Sequence, residues 1–255
     1  MQLFKAILLA YVFYFRKDSS KDKSVPVNNN VGPTTNTNED GAITNNWVLN
    51  QEIHRPKNLS NSRLKRVADM ANLTELKAIL TPILVPRVAG TPGNEAVRNH
   101  IIGRLQSLPG WHIESHSFTD TAPHPFRETN FTNIIATHNI NAPRRLVLAC
   151  HHDSKYMEPD TTGKMFVGAT DSAVPCAMLI HLAENLHSYI ASKSLDFSVS
   201  FVFTSGVKIL HLIPVPFPNH WHKLTDDESN LHYPTIMNLQ KIVQAFVAEY
   251  MRLDV

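Results

Sequence analysis

From Leu146 to Cys176 the chain reads LVLACHHDSKYMEPDTTGKMFVGATDSAVPC. An apolar run of strand length delivers His151-x-Asp153 at its end, and Gly168-Ala169-Thr170-Asp171-Ser172-Ala173 then turns the chain into a helical pattern. Alternate residues of an extended strand share a face, so the His151 imidazole and the Asp153 carboxylate leave the strand end together. Asp171 stands just ahead of the helix, where it is either a further member of that polar cluster or a helix cap. One segment therefore places two potential ligand clusters at the ends of structural elements, and the rest of the chain has to supply their partners.

The surrounding pattern is that of an α/β domain. A helical period runs through Leu64, Val67, Ala68 and Ala71, resumes after Asn72 with Leu76, Ile79 and Leu80, and stops at Pro82. The turn cluster Pro86–Asn94 leads into a second helix with Val97, Ile101, Leu105 and Leu108 on one stripe. His112–Phe118 alternates like a strand. Phe131–Thr137 and Arg145–Cys150 are apolar on both faces, as expected of central strands covered by helices. A helix with Pro175 in its first turn follows Ser172, carrying Val174, Met178, Leu182, Leu186 and Tyr189. Phe197–Phe203 and Lys208–Ile213 are further strand patterns, and Ile236, Leu239, Val243, Phe246, Tyr250 and Leu253 trace one face of a last helix.

One junction resists this plan. Only Thr204-Ser205-Gly206-Val207 separates the last two strand patterns, whereas neighbouring parallel strands need a crossover of about a dozen residues. Either Gly206 helps to turn a tight antiparallel hairpin, or a connecting segment has been lost at residues 204–207.

At 255 residues, 43% apolar and 18% charged, the chain can build one substantial core with tails. A net charge of +2 without a long Lys/Arg run argues against a nucleic-acid partner and favours small or peptide substrates. Residues 1–15 carry an apolar run from Ala6 to Phe15 that is too short for a stable membrane span and suits a signal segment. The expected destination is the secretory route, by secretion or in the Golgi lumen. Three sequons, at Asn58, Asn72 and Asn130, agree with a glycoprotein. Residues 16–46 hold too few apolar side chains to repay ordering and read as a disordered linker, leaving 47–255 as a single domain. A bridge between Cys150 and Cys176 would close a loop around His151, Asp153 and Asp171 and stabilise the fold by about 3 kcal/mol. Two buried thiols are the alternative.

Pro214-Val-Pro-Phe-Pro-Asn-His-Trp-His222 is a proline-stiffened loop that brings His220, Trp221 and His222 to one place, with His211 on the strand pattern behind them. Such histidines are either a metal corner with an aromatic wall or ordinary hydrogen-bonded imidazoles.

Three stretches, LVLACHHDSKY, FVGATDSAVPCAMLIHLAENL and KILHLIPVPFPNHWHKLTDDESNL, closely resemble the glutaminyl-peptide cyclotransferases, zinc enzymes that convert N-terminal glutamine to pyroglutamate and share a fold with zinc aminopeptidases. PRVAGTPGNEAVRNHI and FTNIIAT resemble preceding segments of the same family, so the likeness covers roughly residues 60–253 in two blocks that meet near Ser205. The resemblance implies an α/β sandwich with a mostly parallel central sheet flanked by helices and one catalytic zinc. Carried over by position, it implies Asp171 and His222 as zinc ligands, Trp221 as a wall of the substrate pocket and His211 as part of the hydrogen-bond network beside the site. By the same resemblance His151 and Asp153 are neighbours of the zinc, and Cys150 and Cys176 form a disulfide.

The departure from the family weighs as much as the match. The family's strand equivalent to Phe197–Phe203 runs on into Phe-Asp-Gly-Glu-Glu, which supplies the third zinc ligand and the general acid/base. Here the chain reads Phe201-Val-Phe-Thr-Ser-Gly-Val, with no carboxylate between Asp196 and Asp226. A stretch on the order of a hundred residues is missing at this point, with part of the sheet. No catalytic residue of the family is thereby matched. Zinc binding is expected to be weak or absent, since two protein ligands fall short of the usual three. The resemblance implies peptides or proteins with N-terminal Gln as partners of a monomeric, acyltransferase-type enzyme, shortened and with little or no activity. A zinc aminopeptidase-like hydrolase and a non-catalytic peptide-binding form are the alternatives.

Overall fold

Connection length decides the sheet. β1 (His112–Thr121) and β2 (Glu128–Thr137) are joined by residues 122–127, too few for a crossover, and they pair antiparallel from His112↔Thr137 to Thr121↔Glu128. β3 (Arg144–His151) and β4 (Phe197–Thr204) are separated by a helix, and they pair parallel from Arg144↔Phe197 to His151↔Thr204. β4 also pairs antiparallel with β2, Ile134 opposite Phe203, giving the order β1-β2-β4-β3. This computed structural model describes residues 54–122, 125–142, 144–192, 197–205 and 218–255.

The sheet is therefore mixed and mostly antiparallel, which corrects the mostly parallel sheet implied by the resemblance. Apolarity on both faces reports burial of a strand and is silent on its direction. β2 is an inner strand as its composition predicts, but β3 ends the sheet among the described residues and leaves Ala149 exposed. The segments 1–15 and 16–46 and the strand pattern Lys208–Ile213, with His211, lie outside the described residues.

The helices follow their sequence signals. α1 (Asn61–Asp69) is capped by the Ser60 hydroxyl, which accepts from Arg63 N, and α2 (Leu73–Leu80) by Asn72, which accepts from Thr74 N and Glu75 N. Pro82 ends α2 in a single tighter turn, Thr81–Ile83. Thr91 caps α3 (Pro92–Gln106), whose Val97, Ile101 and Leu105 are buried as one stripe. α4 (Val174–Ala191) and α5 (Tyr233–Tyr250) are the remaining α-helices among the described residues. On the sheet the register sets Ile134, Phe203 and Cys150 in one row and Ala136 and Phe201 in the next, all buried. Trp111 stacks on Phe201 with ring centroids 5.2 Å apart. Fully burying a side chain such as Phe201 contributes about 1.5–3 kcal/mol. The Cys150–Cys176 disulfide extends the same row into the first turn of α4 and ties the end of β3 to the start of that helix.

Candidate functional site

β3 ends at His151, and the disulfide beside it brings the turn before α4 against that strand end. His151 Nε2 lies 2.9 Å from Asp171 Oδ1, and its Nδ1 lies 3.0 Å from the Asp153 carbonyl oxygen and 3.3 Å from Asp153 Oδ1. Both ring nitrogens thus face oxygen acceptors, the arrangement of an imidazolium with two donors. Burial pushes the His151 pKa down, but the bonds and charges of Asp153 and Asp171 outweigh it and raise the value to about 9.

The structure resolves the two readings of Asp171. Its backbone is non-helical, φ −123° and ψ 80°, inside the turn Ala169–Ala173, and the cap position of α4 is Ala173 with no side-chain cap bond. The carboxylate is turned instead toward the two imidazoles. Its second oxygen, Oδ2, lies 2.9 Å from His222 Nε2. His222 has a left-handed backbone, φ 56°, and its ring stacks on Trp221 at 3.5 Å with a 14° interplanar angle. Side chains from the strand end, the turn and the distant 218–230 loop therefore meet on a single carboxylate.

The loop carrying Trp221 and His222 is pinned from behind by Asp226. Ala169 N donates to the Asp226 carbonyl at 3.0 Å, while Thr170 N and Oγ1 each donate to Asp226 Oδ1 at 2.9 Å. Asp226 is fully buried, and its Oδ2 has no hydrogen-bond partner among the described residues. Burial pushes its pKa up, and the two Thr170 bonds oppose that shift. At the end of β4 stands Ser205, also fully buried. Its N–H donates to Asn133 Oδ1 at 3.0 Å and its hydroxyl to Asp153 Oδ2 at 3.3 Å. Ser205, Asp153, His151, Asp171 and His222 form one series of hydrogen-bond and ion-pair contacts.

Zinc does not fit this donor set. A catalytic zinc takes three protein ligands. Each Asp171 oxygen is engaged by an imidazole nitrogen, and both His151 nitrogens face carboxylate or carbonyl oxygens. Among the described residues no group of three or more His, Cys, Asp or Glu side chains can hold a metal ion. This corrects the zinc- and metal-binding character that the family resemblance implies. By the resemblance a third ligand would follow β4, where this chain reads Thr204-Ser205-Gly206-Val207.

The structure brings His151, Asp153, Asp171, Trp221 and His222 together, and the Cys150–Cys176 bridge is formed. Arg87 and Asp226 were not singled out by sequence reasoning. Each left a signal: Arg87 is the one charged residue between Lys77 and Glu95, and Asp226 is the first carboxylate after Asp196.

Residues 133–206 match the family model described as Peptidase family M28. The chain is 31% identical to the glutaminyl-peptide cyclotransferase of Bothrops jararaca over 330 aligned positions, covering 81% of this chain and 89% of that protein. To the glutaminyl-peptide cyclotransferase of Bos taurus it is 41% identical over 180 residues, 68% of this chain and 48% of the relative. Its fold is similar to that of the glutaminyl cyclase of Macrostomum lignano, with a TM-score of 0.69 at 20% identity over 78% of this chain and 95% of that one. In the Bothrops alignment 81% of 255 residues, about 207, spread over 330 positions, so about 120 positions have no counterpart here. The M28 match ends at residue 206, within the 204–207 junction noted in the sequence. The chain belongs to the glutaminyl-peptide cyclotransferases, on a fold related to that of the M28 peptidases, and is shorter than its full-length relatives.

Proposed function

We propose that this chain binds the N-terminal glutaminyl residue of peptides beside Trp221 and His222 and converts it to pyroglutamate with little or no turnover. The observation that carries this reading is the Trp221–His222 stack held on Asp171: an aromatic ring and a partly exposed imidazole beside a partly buried carboxylate. Cyclisation requires the α-amine to attack the side-chain amide carbon while a base takes the amine proton and returns it to the departing ammonia. His151 is a poor base near neutral pH, because its pKa is raised to about 9 and both nitrogens are committed. Asp153 and Asp171 are occupied by His151, Ser205 and His222, and the sequence has no carboxylate from Phe197 to Thr225.

The same reading takes residues 47–255 as one domain with its junction at 204–207, acting as a monomer delivered through the secretory route by residues 1–15. No helix among the described residues is long and apolar enough to cross a membrane.

The test is an assay of ammonia release from a Gln-initiated peptide, run beside calorimetric titration of the same peptide into the protein. Saturable binding with negligible ammonia release is expected. Sustained turnover, or no binding at all, refutes the reading.

A further inference from the structure

Behind the site lies a guanidinium that the chemistry above does not use. Arg87 is fully buried, on the segment between α2 and α3. Its Nε donates to the His152 carbonyl at 2.8 Å and its Nη2 to the Gly168 carbonyl at 3.0 Å. Its Nη1 donates to the carbonyls of Val167 and Val85, the latter at 3.4 Å. Its backbone N–H donates to Ser154 Oγ at 2.9 Å, and its carbonyl accepts from Asn94 Nδ2 at 3.2 Å.

These acceptors fall on the two segments that carry the site. His152 and Ser154 flank Asp153 just beyond the end of β3, and Val167 and Gly168 lead into the Asp171 turn. One planar fork thus spans both, and it sets the separation across which His151 Nε2 reaches Asp171 Oδ1. The fork is itself held in place. Asn94 also bonds His152 Nδ1 at 3.2 Å, and a Cβ added to Gly93 would lie 2.2 Å from the Pro86 carbonyl oxygen, so the start of α3 is packed against the backbone that presents Arg87. The buried positive charge also faces Asp153, Asp171 and Asp226. Burial lowers its pKa to about 10 while those carboxylates oppose the shift, so it stays charged at neutral pH and favours their ionised forms.

We infer that Arg87 is the positioning residue of this site, holding the end of β3 and the Asp171 turn at the distance their shared hydrogen bonds require. The inference rests on the reading of that cluster as a peptide-binding site. Lysine cannot replace it, because an ammonium on a flexible stem cannot reach carbonyls on both segments at once.

The test compares Arg87→Lys with Leu76→Ala, a buried substitution in α2 that destabilises the core through another part of the fold. Two quantities are measured on the full chain at equal folded fraction: the affinity for a Gln-initiated peptide, and the slowly exchanging ring N–H proton signals of His151 by NMR. Arg87→Lys is expected to weaken the peptide by about tenfold or more and to lose the ring signals, while Leu76→Ala keeps both. If wild type binds no peptide, the functional reading fails, and the ring signals alone decide the role of Arg87. Ring signals retained in Arg87→Lys, or lost to the same degree in Leu76→Ala, overturn the inference.

Discussion

Asp171 and His222 meet with Nε2 2.9 Å from Oδ2, although one lies in the turn before α4 and the other in the loop before α5. Because His151 holds the other oxygen of the same carboxylate, the position of the Trp221–His222 stack depends on Asp171.

Replacing Asp171 with Asn keeps the shape and removes the charge shared by the two imidazoles. A hydrogen bond to a charged group is worth about 1.5–3 kcal/mol, so Asp171→Asn should lose about that much stability. Peptide affinity should fall with it, read by urea unfolding and calorimetric titration of the same samples.

The Cys150–Cys176 bridge closes a loop with a sequence separation of 26. On the loop-entropy estimate its removal costs about 3.5 kcal/mol. Cys150→Ala together with Cys176→Ala should lower the urea midpoint accordingly, and adding reductant should move the wild type toward the double variant and leave that variant unchanged.

Gly168 has φ 61°, and a Cβ there would lie 2.4 Å from the Asp171 carbonyl oxygen. Gly168→Ala therefore strains the turn that presents Asp171, at a cost of about 1–3 kcal/mol. Thermal unfolding measures the cost, and peptide titration shows whether the site shifts with it.

Asp226 supplies a pH dependence of determinate sign. Burial raises its folded pKa above the ordinary 3.8, so the folded chain binds its proton more tightly than the unfolded chain does. Its favourable contribution is fully present below 3.8 and is lost as pH rises through the raised value. Asp226→Asn keeps an oxygen for Thr170 and does not ionise, so its stability relative to wild type should be higher at pH 7 than at pH 4. Urea unfolding of both proteins at the two pH values checks this, and an equal difference at both would remove Asp226 as the source.

The sequence by itself determined the elements and the identity of the cluster. Helical stripes such as Val97, Ile101 and Leu105, the caps at Asn72 and Thr91, and the break at Pro82 are local signals, written within one turn or one strand. His151, Asp153 and Asp171 could be picked out because they stand at element ends, and Trp221 and His222 because a proline-rich loop carries them, whereas the loss of an acidic run after β4 is implied only by the family resemblance. Only the tertiary structure decided what those residues do. Strand direction depends on which strands pair across the sheet, so apolar β3 could be read as central and yet ends the sheet among the described residues. The use of Asp171 was equally hidden, since cap and cluster member look alike in sequence, and the buried fork of Arg87 joins segments about 65 and 80 residues away. Local patterning records whether a side chain is buried; which partner it is buried against is a property of the assembled fold.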